Sequence, residues 1–428
     1  MPSLMKETPS SARSPARRGP VEFCQGSEAD HEAIYQTLLH VFHGPDRDEF
    51  LGSLSDPAYR PEQRLLARVD GKVASHAHLT DRVIRFGSVP LPLNGVTWVG
   101  TLPEYRGQGY AQEILRLADD RARRSGAALM ALTTAMPRFY RPLGWGLCGK
   151  QTLAKAPSRT LPIGGDAAPE GQPGPWHVRP WRQVELGDLM ALYDRNYGDT
   201  TGSVVRSEEY WRWMIGRKYA HVIWVACLGE SVHGYAFVKD HKILEIATDP
   251  DRPDALPALL GRVRSEALER AYPEVVVHAP LDHPVMDTFR RLKGTTILDA
   301  DELEGAASMY HAPDPDRLLR AILPELSRRV SDAGSGPLEL GLTVDDRRYL
   351  LHVEPAKTRS RVEPDRLGRR HLTLSPGAFV RLVMGHDDPD ALLGEDGSIA
   401  STATALDSAR VLFPRRPIWR SPLDSASA

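Results

Sequence analysis

One stretch narrows the possible folds of this chain more than any other: Thr101–Asp120, TLPEYRGQGYAQEILRLADD. A basic loop bracketed by glycines, Arg106-Gly107-Gln108-Gly109, runs directly into a segment with Ala111, Ile114, Leu115, Ala118 and Ala122 at helical spacing. That spacing predicts a helix with one face packed on a sheet. The preceding Gly95–Gly100, GVTWVG, reads as a buried strand. In a strand–loop–helix junction, the unpaired N–H groups of the helix start and the positive end of its dipole point over the loop. Glycine at 107 and 109 removes Cβ atoms and allows unusual φ values, so the backbone can come close to a ligand. Arg106 adds a mobile positive charge. The junction therefore reads as a cradle for a pyrophosphate. It is neither the dinucleotide Gly-x-Gly-x-x-Gly, because Gln112 occupies the third position, nor a Walker loop, because no Gly-Lys-Ser/Thr follows.

A chain of 428 residues is too long for one ordinary domain. Apolar residues make up 41%, enough for real cores, and charged residues 26%, as suits a soluble surface. A formal net charge of −2 supplies no global field toward nucleic acid or membrane, and neither is expected as a partner. Cys24, Cys148 and Cys227 are far apart and form no Cys-x-x-Cys pair, which argues against a zinc site or disulfide scaffold and for a cytoplasmic setting. No apolar run reaches the length of a membrane span.

Composition divides the chain into successive units. Residues 1–20, rich in Ser, Pro and Arg, read as a disordered extension without the apolar segment of a secretory signal. A first α/β unit covers residues 21–155. It has an early helix, a hairpin turning at Asp70-Gly71, the quoted loop and helix, a strand at Leu129–Thr133, and the segment FYRPLGWG (Phe139–Gly146). Residues 156–175 are Gly/Pro-rich and read as a linker. A second unit, residues 176–311, repeats the order of the first, which suggests a duplicated module. Residues 312–428 form a third, with an amphipathic helix, a hairpin around Asp345-Asp346, and a helix opening at Ser375-Pro376.

Arg106-x-x-Gly109-x-Ala111, between a strand and a helix, resembles the acyl-CoA loop of the GNAT acetyltransferases, and FYRPLGWG is similar to their short aromatic segment. With SEEYWRWMI (Ser207–Ile215) and LTLSPGAFVRLVMGH (Leu372–His386), the layout from Val21 to Phe413 resembles the Eis type of that superfamily. The resemblance implies tandem GNAT-like mixed sheets flanked by helices, an α/β (α+β) class, with a sterol-carrier-like α+β domain at the end. It implies acetyl-CoA as co-substrate, transfer to an amine that is often polycationic, and a homohexamer. Carried over by position, Val99, Gly100 and Thr101 and the backbone from Tyr105 through Arg106, Gly107, Gln108, Gly109, Tyr110 and Ala111 bind the donor. They lie where the strands Val96–Gly100 and Leu129–Thr133 splay apart. Tyr140, with a phenol pKa of about 10, is then the general acid. The family's base is the C-terminal carboxylate, here that of Ala428. This sequence departs from the family in ending PLDSASA, without the usual aromatic close to the terminus.

Other residues compete for roles. Glu104, just before the loop, is a rival base. Asp46, Asp48 and Glu49 follow the first helix and either attract a cationic amine or form an exposed acidic loop. His76 and His78 share one face of a strand; without a third ligand no metal site is expected, and a half-exposed face is the expected setting. The second unit has IATDPDRPDALPALL (Ile246–Leu260) in place of the loop, and its carboxylates and prolines oppose an anion site. A different class of function is an acyl-CoA sensor, or a lipid carrier using the last unit. An intact Tyr140 favours the enzyme, because a sensor needs no acid.

Overall fold

A computed structural model of the chain describes residues 20–149, 152–163, 176–292, 296–299, 307–355, 359–394 and 397–425. Most of the N-terminal extension, residues 164–175 of the linker and Ala428 lie outside these.

The first body begins with β1 (Val21–Gln25), α1 (His31–Phe42), α2 (Arg47–Leu54), β2 (Arg64–Val69), β3 (Lys72–Phe86) and β4 (Val89–Thr101). Asp70 and Gly71, at φ 51° and 77°, make the β2–β3 turn expected of that dipeptide. Then come α3 (Tyr110–Ser125), β5 (Leu129–Thr134), α4 (Pro137–Tyr140) and β6 (Gly146–Leu147). Ile114, Leu115, Ala118 and Ala122 of α3 are buried against one face of the sheet. Ile34 and Leu38 of α1 and Phe50 of α2 cover Leu66 and Val73 on the other.

The second body contains β7 (Thr152–Pro157), β8 (Trp176–Pro180), α5 (Leu186–Tyr197), α6 (Glu208–Gly216), β9 (Val222–Leu228), β10 (Ser231–Lys239), β11 (Lys242–Thr248), α7 (Ala255–Glu269), β12 (Glu274–His278), α8 (Pro284–Arg291) and β13 (Thr296–Asp299). The chain then returns to the first sheet as β14 (Ala307–His311). The third body follows with α9 (Pro315–Asp332), β15 (Leu338–Val344), β16 (Arg347–Val353), β17 (Arg361–Pro364), β18 (His371–Leu374), α10 (Pro376–Val383), β19 (Ile399–Ala400) and α11 (Ala403–Leu412). Its five-stranded sheet runs β17-β16-β15-β18-β19.

The two seven-stranded sheets exchange strands. The first runs β1-β2-β3-β4-β5-β14-β6 and the second β13-β7-β12-β11-β10-β9-β8. Thr152–Lys155, grouped by sequence with the first unit, pair with β12 and β13 of the second sheet. Ala307–His311, grouped with the second, pair with β5 and β6 of the first. Alternating apolar strands carry no mark of which distant partner they join, so contiguity alone put both segments on the wrong side of a sheet boundary.

The third body is locked to the first through buried groups. Glu325 of α9, fully buried, meets the β3–β4 turn, where a Cβ on Gly87 would clash with its carboxyl group. Arg328 and Arg329 neutralise it at 2.8 and 3.0 Å. Leu318, Leu342, Phe379 and Leu412 fill a core continuous with Ile84, Phe86 and Leu93 of the first sheet.

Candidate active site

The site begins as a split in the first sheet. β4 and β5 pair in parallel at Leu93↔Leu129, Asn94↔Met130 and Gly95↔Ala131, and no farther. Beyond this point both strands continue without each other, which leaves their backbone groups free to pair with an extended ligand. A bulge on the other edge of β4 accompanies the parting. Trp98 and Val99 together face Ala77, between the pairs His78↔Thr97 and His76↔Gly100, and Trp98 takes φ 54°. His76 Nδ1 lies 2.9 Å from the Trp98 carbonyl and braces the bulge.

This overturns the half-exposed setting expected for the histidines: His76 and His78 are 0% and 3% exposed. Burial, then the nearby Arg64 charge, pushes His76 down to about 3 and His78 well below its ordinary value, so both are neutral near pH 7. Among the described residues no cluster of metal-ligating side chains is large enough to hold an ion.

The loop takes the form its glycines allow. Gly107 and Gly109 sit at φ 75° and 80°. A Cβ at Gly107 would meet nothing within 4 Å, and one at Gly109 only Gln112 Oε1 at 3.9 Å, so the space above the loop is open. Gly109 is the N-cap of α3 and no side chain caps the helix, which leaves the first-turn N–H groups directed outward. Arg106 is exposed, and its Nε donates to the Thr101 carbonyl at 3.1 Å, so its charge is tethered beside the loop instead of mobile. Gln108 accepts from the Tyr110 hydroxyl at 2.8 Å. Val99 is half-buried beside Trp98, and Gly100 is pressed on Phe42 and Val41 at a distance no Cβ would tolerate.

Tyr140 lies on the α3 side of the split, with Val96 and Leu132 in the same core. Its ring packs edge-on against Phe139 and Trp145, with centroids 4.9 and 6.0 Å away, and it is 7% exposed. Burial pushes the phenol up to about 12, against the opposing pull of a hydrogen bond with the Thr134 side chain. The ordinary phenol value expected from sequence is thus too low.

Thr97 and Thr133, next along the two strands, line a cavity of about 30 Å³ with Gly95, Tyr310, Arg420 and Asp424. Strand alternation places these threonines on the face opposite Tyr140. The chain's tail reaches this cavity because its apolar residues dock on the second body. Trp419 stacks on Tyr197 with centroids 4.5 Å apart, and Leu423 is buried in the same cluster. Asp424 accepts from Arg206 Nε and Nη2, both at 2.9 Å, while Glu245 takes the other edge of that guanidinium at 3.0 and 2.6 Å. Burial holds the Asp424 carboxyl above its usual range despite the opposing pull of Arg206.

Val99, Tyr110 of the loop and Tyr140 thus share one core at the split, and Arg420 and Asp424 of the tail line its other face, while Ala428 lies outside the described residues and other sequence candidates lie elsewhere. Glu104 is exposed on a short 3₁₀ turn and does not line the cavity. Asp46 is consumed as the N-cap of α2, accepting from the Glu49 N–H at 2.7 Å, while Asp48 and Glu49 are exposed. Sequence reasoning missed Thr97, Thr133, Arg206, Arg420 and Asp424. The one available signal was aromatic and apolar spacing in IWRSPLD, which an irregular tail would not need. In the second body, the corresponding stretch holds Asp249 against Arg195 at 3.0 Å and His233 at 3.1 Å, so carboxylates occupy the place of the glycine cradle.

Residues 23–148 match the acetyltransferase (GNAT) domain family. No curated protein matches the chain. Among solved structures, a GCN5-related N-acetyltransferase from Kribbella flavida is 17% identical, with a TM-score of 0.74 over 95% of this chain and 99% of that one. One from Anabaena variabilis is 17% identical, with a TM-score of 0.73 over 94% and 99%. Eis1 from Mycobacterium abscessus is 15% identical, with a TM-score of 0.64 over 93% and 99%. At such identities the three structures share a fold with this chain. The first body is a GNAT domain, and the protein is an acyltransferase. No helix among the described residues is long and apolar enough to cross a membrane.

Proposed function

We propose that the protein moves an acetyl group from acetyl-CoA directly onto a primary amine, on a small and often polycationic molecule or on a protein lysine. The observation that carries this reading is the arrangement of acid and tail on opposite faces of one split, with an open, uncapped helix start at its mouth. The N–H groups from Arg106 to Ala111 would hold the donor's pyrophosphate, and the unpaired edges beyond Gly95 and Ala131 its pantetheine arm.

The amine nitrogen, deprotonated, enters from the tail side and bonds to the acetyl carbon. The C–S bond then breaks, and Tyr140, on the leaving-group side, donates its hydroxyl proton toward the departing sulfur. For the base, the tail is favoured over Glu104 because Arg420 and Asp424 line the cavity and Glu104 does not. Ala428 lies four positions beyond Asp424, an extended reach of about 14 Å, which would let the Ala428 carboxylate meet an amine in the cavity. Proline and apolar packing up to Leu423 would serve to place it. The third body fits a sterol-carrier-like domain with a structural role, its interior filled by Leu318, Leu342, Phe379 and Leu412. Assembly as a homohexamer belongs to the same reading.

Thiol release from acetyl-CoA across a panel of amines tests the activity; a panel without acceptor-dependent release would leave the sensor reading in its place. Removing residues 426–428 should abolish turnover while Glu104→Gln stays within a few-fold of the parent. The reverse pattern would assign the base to Glu104.

A further inference from the structure

A cavity of about 1170 Å³ lies between α3 and the third body. It exceeds what a small amine requires. Its walls come from three separate parts of the chain: Arg116 and Arg123 of α3, Arg141 just after Tyr140, and Arg347 and Arg381 of the third body. Asp119 and Asp345 are the opposing carboxylates. Several of these cations are already engaged: Arg116 with Glu113 at 2.8 Å, Arg123 with Asp119 at 2.6 Å, and Arg381 with Asp387 at 2.6 Å. Arg141 has no side-chain partner among the described residues, and Arg347, exposed on the opposite wall, shares a hydrogen bond with the Tyr349 phenol. Between them the floor is apolar, with Leu115, Leu143 and Trp145. An apolar floor flanked by Arg141 and Arg347 suits a ring system carrying phosphates.

The near end of the cleft, at Leu115 and Arg116, lies about one to two helical turns along α3 from the loop. Arg116 is about 10 Å along the helix axis from Gly109, and helical side chains lean toward the N-terminus, so its guanidinium covers the surface between loop and cleft. A diphosphate held at the loop would have to follow this side of α3 for about 9–10 Å to reach Leu115 and Arg116.

We infer that this cleft receives the adenosine 3′-phosphate 5′-diphosphate end of the acetyl donor, so that the third body, through Arg347, completes the donor site. The inference rests on the acetyltransferase reading and adds a second body to its donor site. The nucleotide end carries a phosphomonoester of about −1.5 to −2 charge besides the diphosphate, and this would meet Arg141 and Arg347.

The test compares acetyl-CoA with S-acetylpantetheine, which lacks the nucleotide, in the full-length protein and in Arg141→Ala and Arg347→Ala. Both side chains are exposed, and melting curves verify that the variants fold. Each variant should raise KM for acetyl-CoA about tenfold with kcat nearly unchanged, and leave KM for S-acetylpantetheine in place. Calorimetry with adenosine 3′,5′-bisphosphate should show binding to the parent that each variant weakens by a similar factor. An unchanged KM for acetyl-CoA in both variants, or equal rises for the two donors, would overturn the inference while leaving the acetyltransferase reading intact. A parent protein that turns over neither donor would overturn both.

Discussion

Tyr140→Phe is the sharpest perturbation of the proposed chemistry. It deletes one oxygen from a ring that is otherwise held by Phe139, Trp145, Val96 and Leu132, so the packing survives. The phenol's value of about 12 decides the size of the effect. An ordinary thiol titrates near 8.5, so full transfer from Tyr140 to a solvated thiolate would be uphill by about 3–4 units, or roughly 5 kcal/mol. In the proposed chemistry Tyr140 would therefore assist mainly by holding its proton in a hydrogen bond to charge building on a sulfur that would itself be desolvated in the split. One such donor to a developing anion is worth about 10²–10³ in kcat, the lower part of the range for general acids. We expect kcat and kcat/KM to fall together by that factor, with acetyl-CoA affinity unchanged, in a steady-state assay of thiol release paired with calorimetry. The fall should be the same at every pH from 6 to 10, because burial raises the phenol's value and keeps it protonated throughout. The stabilisation linked to that raised value is present below about pH 10 and is lost as pH rises toward 12. A kcat within threefold of the parent, or a loss that disappears above pH 8, would refute the assignment of Tyr140 as the proton donor.

Gly109→Val should abolish detectable acetyl-CoA binding in a chain that still folds, since φ 80° disfavours a branched residue and its side chain enters the open space above the loop; calorimetry on the folded variant decides it, and unchanged affinity would remove the cradle. Titration of the full chain should give one equivalent of acetyl-CoA, because Asp249 and its ion pairs occupy the second body's counterpart of the loop; two equivalents would contradict this. Residues 21–155 expressed alone should fail to give a cooperatively folding domain by circular dichroism, because β5 and β6 depend on Ala307–His311 between them; a sharp melt would show that β14 is dispensable.

Local chemistry made part of this protein legible in its residues. Glycines at 107 and 109 can take positive φ at little cost, Asp70-Gly71 turns a hairpin, and the apolar stripe from Ile114 to Ala122 seeks a sheet; each depends on neighbours a few positions away. The same locality lets the loop be read as a candidate anion cradle, whereas Tyr140 stands out only through the resemblance of FYRPLGWG to the aromatic segment of the GNAT acetyltransferases. What only the tertiary structure decided is whatever joins distant segments. No local signal sends Thr152–Pro157 into the second sheet and Ala307–His311 back into the first, because strand pairing is chosen by partners more than a hundred residues away. The burial of His76 and His78 follows from α1 packing on β3 and Tyr59 lying edge-on to His78, and the raised phenol of Tyr140 from Phe139 and Trp145 closing around it. Arg206 became visible as a structural hub only once the tail carried Asp424 to it and β11 carried Glu245. Ionisable groups take their character from what surrounds them in space, and a chain read in order does not contain that information until it is folded.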